Sequence, residues 1–292
     1  MSQLKQRFAG QVPGLRDEIK QIVASHGNTV IDSVTVEQAY GGMRGVTAVV
    51  CDTSLVTPET GLIIRGTPIL DLTDKRPEET FWLLLTGEMP SAEETASLQG
   101  ELLAADNVPE YVWQVLDSFP EGSHPMTMLS SVVLCMQRES KFAARYSGMA
   151  KADYWDAAYD DAIQILGALP QIAAAIYRKR FNKGPRLTAP DGLDWAARYA
   201  ALLGLPQTDD CYDMMRLYLT LHSDHENGNA SAFTSHVIGS TLADPFYATT
   251  GGWNSLAGPL HGRANQECLS FVLDLHERYG GEPTEENLRE AC

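Results

Sequence analysis

The chain has 292 residues, of which 44% are hydrophobic and 21% charged, so it can bury the core of one large domain or of two smaller ones. Its formal net charge of −16 leaves little long-range attraction for polyanions, and we therefore expect no nucleic-acid partner. Five widely spaced cysteines without a C-x-x-C pair are typical of reduced thiols in a reducing compartment.

The amino-terminal segment predicts a long helix. Apolar residues recur there at helical spacing, and Gly27 after them suits a C-terminal cap. The repeat consists of Leu15, Ile19, Ile22 and Val23.

The same segment has no apolar core of the kind that a secretory signal needs, and Asp17 and Glu18 are unusual in a mitochondrial presequence. The longest apolar stretch without charge, residues 162–177, contains Pro170 and is shorter than the roughly 20 residues of a membrane helix. We therefore expect a cytoplasmic protein without a membrane partner, or a mitochondrial matrix protein if a presequence has been removed.

A minor β element is expected between residues 29 and 66. Val30, Val34 and Val36 lie on one face at a period of two, and residues 47–51 and 61–66 could pair as short strands. Helix signals then recur, with Pro77 in a first turn and Ser91 with Glu94 as a capping box.

The remaining pattern is helical, with short connectors and one longer loop at residues 181–192, which are rich in proline and glycine. After a glycine stop at Gly280, a new helix opens near Pro283. The fold class predicted from these signals is mainly helical.

Histidines are concentrated in two segments, of which the first is 219–236. An amphipathic helix there runs into His222, His225 and the turn-forming residues 227–229. A helix C-terminus favours protonated imidazole and hence an anionic ligand. Capping of carbonyl groups explains such histidines equally well. The order H-x-x-H-E differs from the H-E-x-x-H and H-x-x-E-H zinc patterns, so no metal is expected.

The second segment is 256–271, where His261 stands between a Gly-Pro turn and a new helix. The amino end of a helix lowers an imidazole pKa, which suits a neutral histidine that donates to a developing enolate oxygen. A simple N-cap role is an equal alternative. The helix is indicated by Ala264, Cys268, Phe271 and Leu275.

Both segments resemble the histidine signatures of the citrate synthases, in the form typical of the mitochondrial enzymes and their bacterial relatives. The matching stretches are LHSDHENGN (221–229) and LAGPLHGRANQE (256–267). Supporting matches run along almost the entire chain: HGNTVI (26–31), YGGMRGV (40–46), FWLLLTGEMP (81–90), HPMTMLSS (124–131), MMRLYLTLHSDHE (214–226) and SHVIGSTLADPF (235–246).

The resemblance implies a nearly all-helical fold with a large domain, residues 1–261 and incomplete, and the start of a small domain at 262–292. It also implies a homodimer that condenses acetyl-CoA with oxaloacetate and needs no cofactor. His261 would stabilise the enol of acetyl-CoA, His225 would contact oxaloacetate, and Arg44 would help to hold a coenzyme A phosphate. A surface arginine beside a glycine turn is an equal alternative for Arg44.

Three residues depart from the family pattern: Asn227 replaces a glycine, Phe233 a common histidine, and Arg263 an apolar residue. In the family, a Gly-Tyr-Gly-His loop, a catalytic aspartate and substrate-binding arginines follow the position that corresponds to Cys292. We therefore expect residues 1–292 alone to supply one of three catalytic groups. The arginines near the histidines, Arg216 and Arg263, match no substrate-binding position.

Two alternatives stay open. A 2-methylcitrate synthase would accept propionyl-CoA, which differs by one methylene and thus by about 1 to 3 kcal/mol of pocket contacts. A non-catalytic helical fragment would only bind a partner or coenzyme A.

Overall fold

The computed structural model describes residues 1–42, 45–47, 49–226 and 228–291. Helices dominate these residues and one small sheet accompanies them, as the sequence predicts. The helices are α1 (Gln3–His26), α2 (Val36–Tyr40), α3 (Pro77–Thr86), α4 (Ala92–Ala104), α5 (Glu110–Ser118), α6 (Pro125–Cys135), α7 (Lys141–Arg145), α8 (Tyr154–Arg180), α9 (Trp195–Leu203), α10 (Asp209–Leu221), α11 (Ala230–Ser240), α12 (Pro245–Leu256), α13 (Ala264–Tyr279) and α14 (Glu285–Ala291).

Helix α8 is the centre of the fold, because α4, α6, α9 and α12 all pack against it. Its apolar side joins the largest buried cluster, in which Ile172 and Phe246 are fully buried. Gly167 lets α4 approach closely, since a Cβ there would lie 2.7 Å from the carbonyl oxygen of Leu102. The core is therefore built mainly from the middle of the chain.

The sheet consists of β1 (Ser54–Thr57), β2 (Gly61–Ile64) and β3 (Thr67–Pro68), antiparallel in that order. The predicted strand at 47–51 was wrong for the described residues 47 and 49–51, which form no strand. The tight connection at 58–60 closes with Gly61 at φ +67°, so β2 pairs with the residues directly before that turn.

Helix α1 ends where predicted, with Gly27 as its C-cap. Its apolar repeat, however, is not buried, because Leu15, Ile19, Ile22 and Val23 are 40% to 61% exposed. Only the first half of α1 contributes to the core, through Leu4 and Val12. The periodicity thus identifies the helix without identifying a packed face.

The residues predicted to begin helices and to form the long loop do so. Pro77 begins α3, and Ser91 and Glu94 form a complete capping box on α4. The loop at 181–192 joins α8 to α9 and is held by Arg178, which donates to the carbonyl oxygen of Pro185 at 2.7 Å and also to that of Lys183. One buried guanidinium thereby satisfies two loop carbonyls.

Candidate active site

The candidate site is built on the pair of helices α11 and α12, which lie against each other through glycine. A Cβ at Gly252 would lie 2.4 Å from Ser235 Oγ and 3.1 Å from the carbonyl oxygen of Ser231. Asp244 caps α12 by accepting from the amide of Phe246 at 3.0 Å. This close packing places the end of α12 beside the beginning of α11.

His261 lies in the turn between α12 and α13. Its Nε2 is 2.8 Å from the hydroxyl of Ser231, in the first turn of α11. Its backbone amide donates to the carbonyl oxygen of Gly258 at 3.0 Å. The following residue must be glycine, since a Cβ at Gly262 would lie 1.8 Å from the carbonyl oxygen of Leu256. The turn and the serine together fix the direction of the imidazole.

The prediction that His261 lies beside the N-terminus of the following helix is confirmed, since α13 begins at Ala264, and the ring also contacts Ser231 in the first turn of α11. If the hydroxyl of Ser231 donates to Nε2, the proton is on Nδ1, which can then donate to an oxygen of a ligand. Such a donor is what a developing enolate requires.

His222 and His225 behave differently from each other. His222 is the C-cap of α10; its Nδ1 lies 2.7 Å from the carbonyl oxygen of Tyr218, and the two rings are 4.3 Å apart. The capping interpretation therefore holds for His222. His225 is exposed and lies in the connection between α10 and α11.

Asn229 links the residues around His225 to the amino end of α11, where Ser231 contacts His261. Its Oδ1 caps α11 by accepting from the amide of Ala232 at 2.9 Å, and its Nδ2 donates to the carbonyl oxygens of Glu226 at 2.9 Å and His225 at 3.4 Å. His225 and His261 thus both adjoin the amino end of α11. That their side chains face one cleft stays a prediction.

Arg216 and Arg263, the arginines near the histidine segments, both pair with carboxylates. Arg216 donates from Nε to the buried carboxylate of Asp194 at 2.9 Å and also pairs with Asp213. Arg263 is exposed and pairs with Glu267 within α13. Arg44, predicted to bind a coenzyme A phosphate, lies outside the described residues, as does Asn227.

A cavity of about 210 Å³ lies on the inner side of α10. Its mainly apolar lining includes His222 and Ser223 but neither His225 nor His261. The carboxyl group of Glu78 borders it, is 2% exposed, and accepts from the amide of Trp195 at 2.9 Å. Burial raises the pKa of Glu78. The cavity adjoins the first histidine segment without reaching the predicted site residues.

Among the described residues, no group of three or more His, Cys, Asp or Glu side chains is arranged to hold a metal ion. In the same residues, no helix has the length and apolar character that crossing a membrane requires.

Sequence reasoning missed Ser231, Asn229 and Glu226 as members of the site. Asn229 could have been found, because an asparagine directly before a helical segment is an N-cap signal. Ser231 could not, since nothing local indicates that it contacts a histidine 30 residues later in the chain. Phe233, where a histidine is common in the family, lies further along α11 and is 43% exposed.

Known proteins resemble the chain along almost its whole length. The family described as "Citrate synthase, C-terminal domain" matches residues 42–291. The mitochondrial citrate synthase of Saccharomyces cerevisiae is 44% identical over 98% of this chain and 62% of its own length. The peroxisomal citrate synthase of the same yeast is 43% identical over 94% of this chain and 62% of its own length. The chain thus spans less than two thirds of the length of these curated relatives.

The mitochondrial 2-methylcitrate synthase of Yarrowia lipolytica is 40% identical over 98% of this chain and 64% of its own length. Among solved structures, the citrate synthase of Pyrobaculum aerophilum superposes with a TM-score of 0.73 at 27% identity, over 81% of this chain and 59% of its own. That of Thermoplasma acidophilum, solved with carboxymethyl coenzyme A and oxaloacetate, has a TM-score of 0.70 at 22% identity over 83% of this chain and 61% of its own, a likeness of fold. The chain belongs to the citrate synthase family.

Proposed function

We propose that this chain is part of a citrate synthase, which condenses acetyl-CoA with oxaloacetate and water to citrate and coenzyme A. The observation that carries the proposal is the contact of 2.8 Å between Ser231 Oγ and His261 Nε2. It holds the imidazole of a family signature at the amino end of α11, and Nδ1 can donate to a ligand when the serine hydroxyl donates to Nε2. The high identity to the yeast enzymes along nearly the whole chain supports the same function.

In the proposed reaction, His261 donates to the oxygen of the thioester as the α-proton of acetyl-CoA leaves, and so stabilises the enol. The carbon nucleophile then attacks the ketone of oxaloacetate, and hydrolysis of the citryl thioester releases coenzyme A. General acid-base groups typically contribute about 10² to 10⁴-fold each. The α-proton passes to a base and an acid polarises the ketone; of the three groups, we assign only the donor, His261, to a residue of this chain.

We assign oxaloacetate contact to His225 and a coenzyme A phosphate contact to Arg44. The exposure of His225 leaves its side chain accessible to a ligand. A guanidinium suits a phosphate because it is permanently charged and donates in a fixed planar geometry. No cofactor beyond the two substrates is proposed.

We propose that the protein is a homodimer. Apolar side chains on α10 and α11 support this assembly, because they are 43% to 58% exposed and a partner subunit would cover them. These side chains are Met214, Tyr218, Phe233 and Val237.

We further propose the domain division at 261/262, which the weak burial of α13 supports, since Leu275 is its one buried residue in the described chain. The proposed compartment is the cytoplasm, or the mitochondrial matrix if a presequence has been removed. The yeast relatives are mitochondrial and peroxisomal.

The Yarrowia relative favours a second candidate function, that of a 2-methylcitrate synthase acting on propionyl-CoA. The two functions differ by one methylene in the acyl pocket, which corresponds to about 10- to 200-fold in specificity. The higher identity to the yeast citrate synthases makes acetyl-CoA the preferred assignment.

A thiol-release assay with oxaloacetate tests the proposal on the 292-residue chain and on one continued through the family's remaining length. We expect the continued chain to turn over acetyl-CoA faster than propionyl-CoA, and the shorter chain to be slow or inactive. Preference for propionyl-CoA would establish the second candidate, and an inactive continued chain would refute both. Sedimentation equilibrium of the same preparations reports the dimer.

A further inference from the structure

Glu226 directly follows His225 and makes contacts that join distant parts of the chain. Its carboxylate Oε1 accepts from the amide of Val56 at 2.7 Å, and its own amide donates to the hydroxyl of Ser54 at 2.7 Å. Both partners belong to β1, which is an edge strand of the sheet. An edge strand offers amide groups that no neighbouring strand pairs, and here the glutamate pairs one of them.

The backbone of Glu226 is strained in the same place. Its φ is +52°, in the left-handed region that residues other than glycine rarely adopt. Such a conformation is unfavourable for a residue with a side chain and persists where surrounding contacts stabilise it. The two contacts to β1 stabilise this conformation, and the carbonyl oxygen of Glu226 adds a third contact by accepting from Asn229 Nδ2 at 2.9 Å.

These contacts continue to the second histidine. Asn229 caps α11 through its Oδ1, and Ser231 in the first turn of α11 contacts His261. Glu226 is therefore fastened on one side to β1 and on the other, through Asn229, to the helix end that orients His261. His225 precedes the fastened residue.

We propose that Glu226 is a positioning residue, which sets the place of His225 and of the first turn of α11 by anchoring them to β1. The expected effect of this anchoring on oxaloacetate affinity rests on the proposed function. The anchor itself does not depend on that function. It also makes the β1–β2 hairpin part of the support of the site.

The test compares Glu226→Ala, Glu226→Gly and Glu226→Gln with Ser54→Ala and the control Glu285→Ala, an exposed residue of α14. Hydrogen exchange is followed at residues 54–57 and 222–229, and oxaloacetate affinity by calorimetry on the 292-residue chain and on the continued chain. Glutamine keeps the acceptor oxygen, whereas glycine removes the side chain and also relieves the positive φ. The glycine variant therefore separates anchoring from strain.

We expect Ala and Gly to speed exchange in both segments and to weaken oxaloacetate binding about tenfold, the scale of one lost charge-assisted hydrogen bond. Glu226→Gln should keep most of the exchange protection and of the oxaloacetate affinity. Ser54→Ala should lose less of each than Glu226→Ala does, and Glu285→Ala should match the parent. A glycine variant equal to the parent would overturn the proposal. So would faster exchange with unchanged affinity.

If neither parent chain binds oxaloacetate, the proposed function is wrong, and so is the expected effect of Glu226 on oxaloacetate affinity. The anchor is then judged by hydrogen exchange alone: faster exchange in Ala that Gln reverses supports it, and unchanged exchange refutes it. The two failures are therefore distinguishable.

Discussion

Helices α8 and α13 are both long, and both carry apolar residues at helical spacing, but they differ in what surrounds them. In α8, apolar side chains such as Ile165 and Ile172 are buried among α4, α6, α9 and α12. In α13, Leu273 is 56% and Val272 52% exposed, and Leu275 is the one buried residue among those described. Amphipathic spacing therefore marks both helices, whereas most of the free energy that stabilises a helix comes from packing against neighbouring elements.

The largest expected effect is the difference in unfolding free energy between truncating an apolar side chain in α8 and truncating one in α13. Ile172→Ala should destabilise the chain by about 2 to 5 kcal/mol, because it opens a cavity in the core. Leu273→Ala should change stability by about 0.5 kcal/mol or less, because its side chain is already exposed. Urea unfolding measures both, with the slope m as the control for two-state behaviour. Equal losses would mean that α13 is packed in solution.

A smaller effect on stability is expected from replacing two glycines of the α11–α12 pair, one inside a close helix contact and one outside it. Gly252→Ala should cost about 1 to 3 kcal/mol, since its Cβ would collide with Ser235 and approach the backbone of Ser231. Gly239→Ala in α11 meets nothing within 4 Å and should stabilise by about 0.5 to 1 kcal/mol. Thermal unfolding of the pair decides the matter. A tolerated Gly252→Ala would contradict the close approach of α11 and α12.

Much of the fold could be predicted from the sequence because its helix signals are local. Gly27, Pro77 and the Ser91–Glu94 box each act through backbone groups only a few residues away, and each occupies its expected place. The predicted strand at 47–51 was wrong because the tight turn after Thr57 pairs β2 with Ser54–Thr57 instead.

The site was predictable only in part. Family signatures identified the segments of His225 and His261, but the contacts that hold them are long-range. Glu226 reaches β1 across 170 residues of sequence, and Ser231 reaches His261 across 30. Periodicity and capping rules cannot show such pairs, because they describe neighbours along the chain. The exposed face of α1 was unpredictable for the same reason.

The most direct test of the account is the turnover number of His261→Ala in a chain continued through the family's remaining length. The matched control is His276→Ala, an exposed histidine in the last turn of α13. Thiol release from acetyl-CoA with oxaloacetate should fall about 10² to 10⁴-fold in His261→Ala, because the enol loses its donor, and should be unchanged in the control. Turnover by His261→Ala within about twofold of the parent would contradict the assignment of this residue as the catalytic donor.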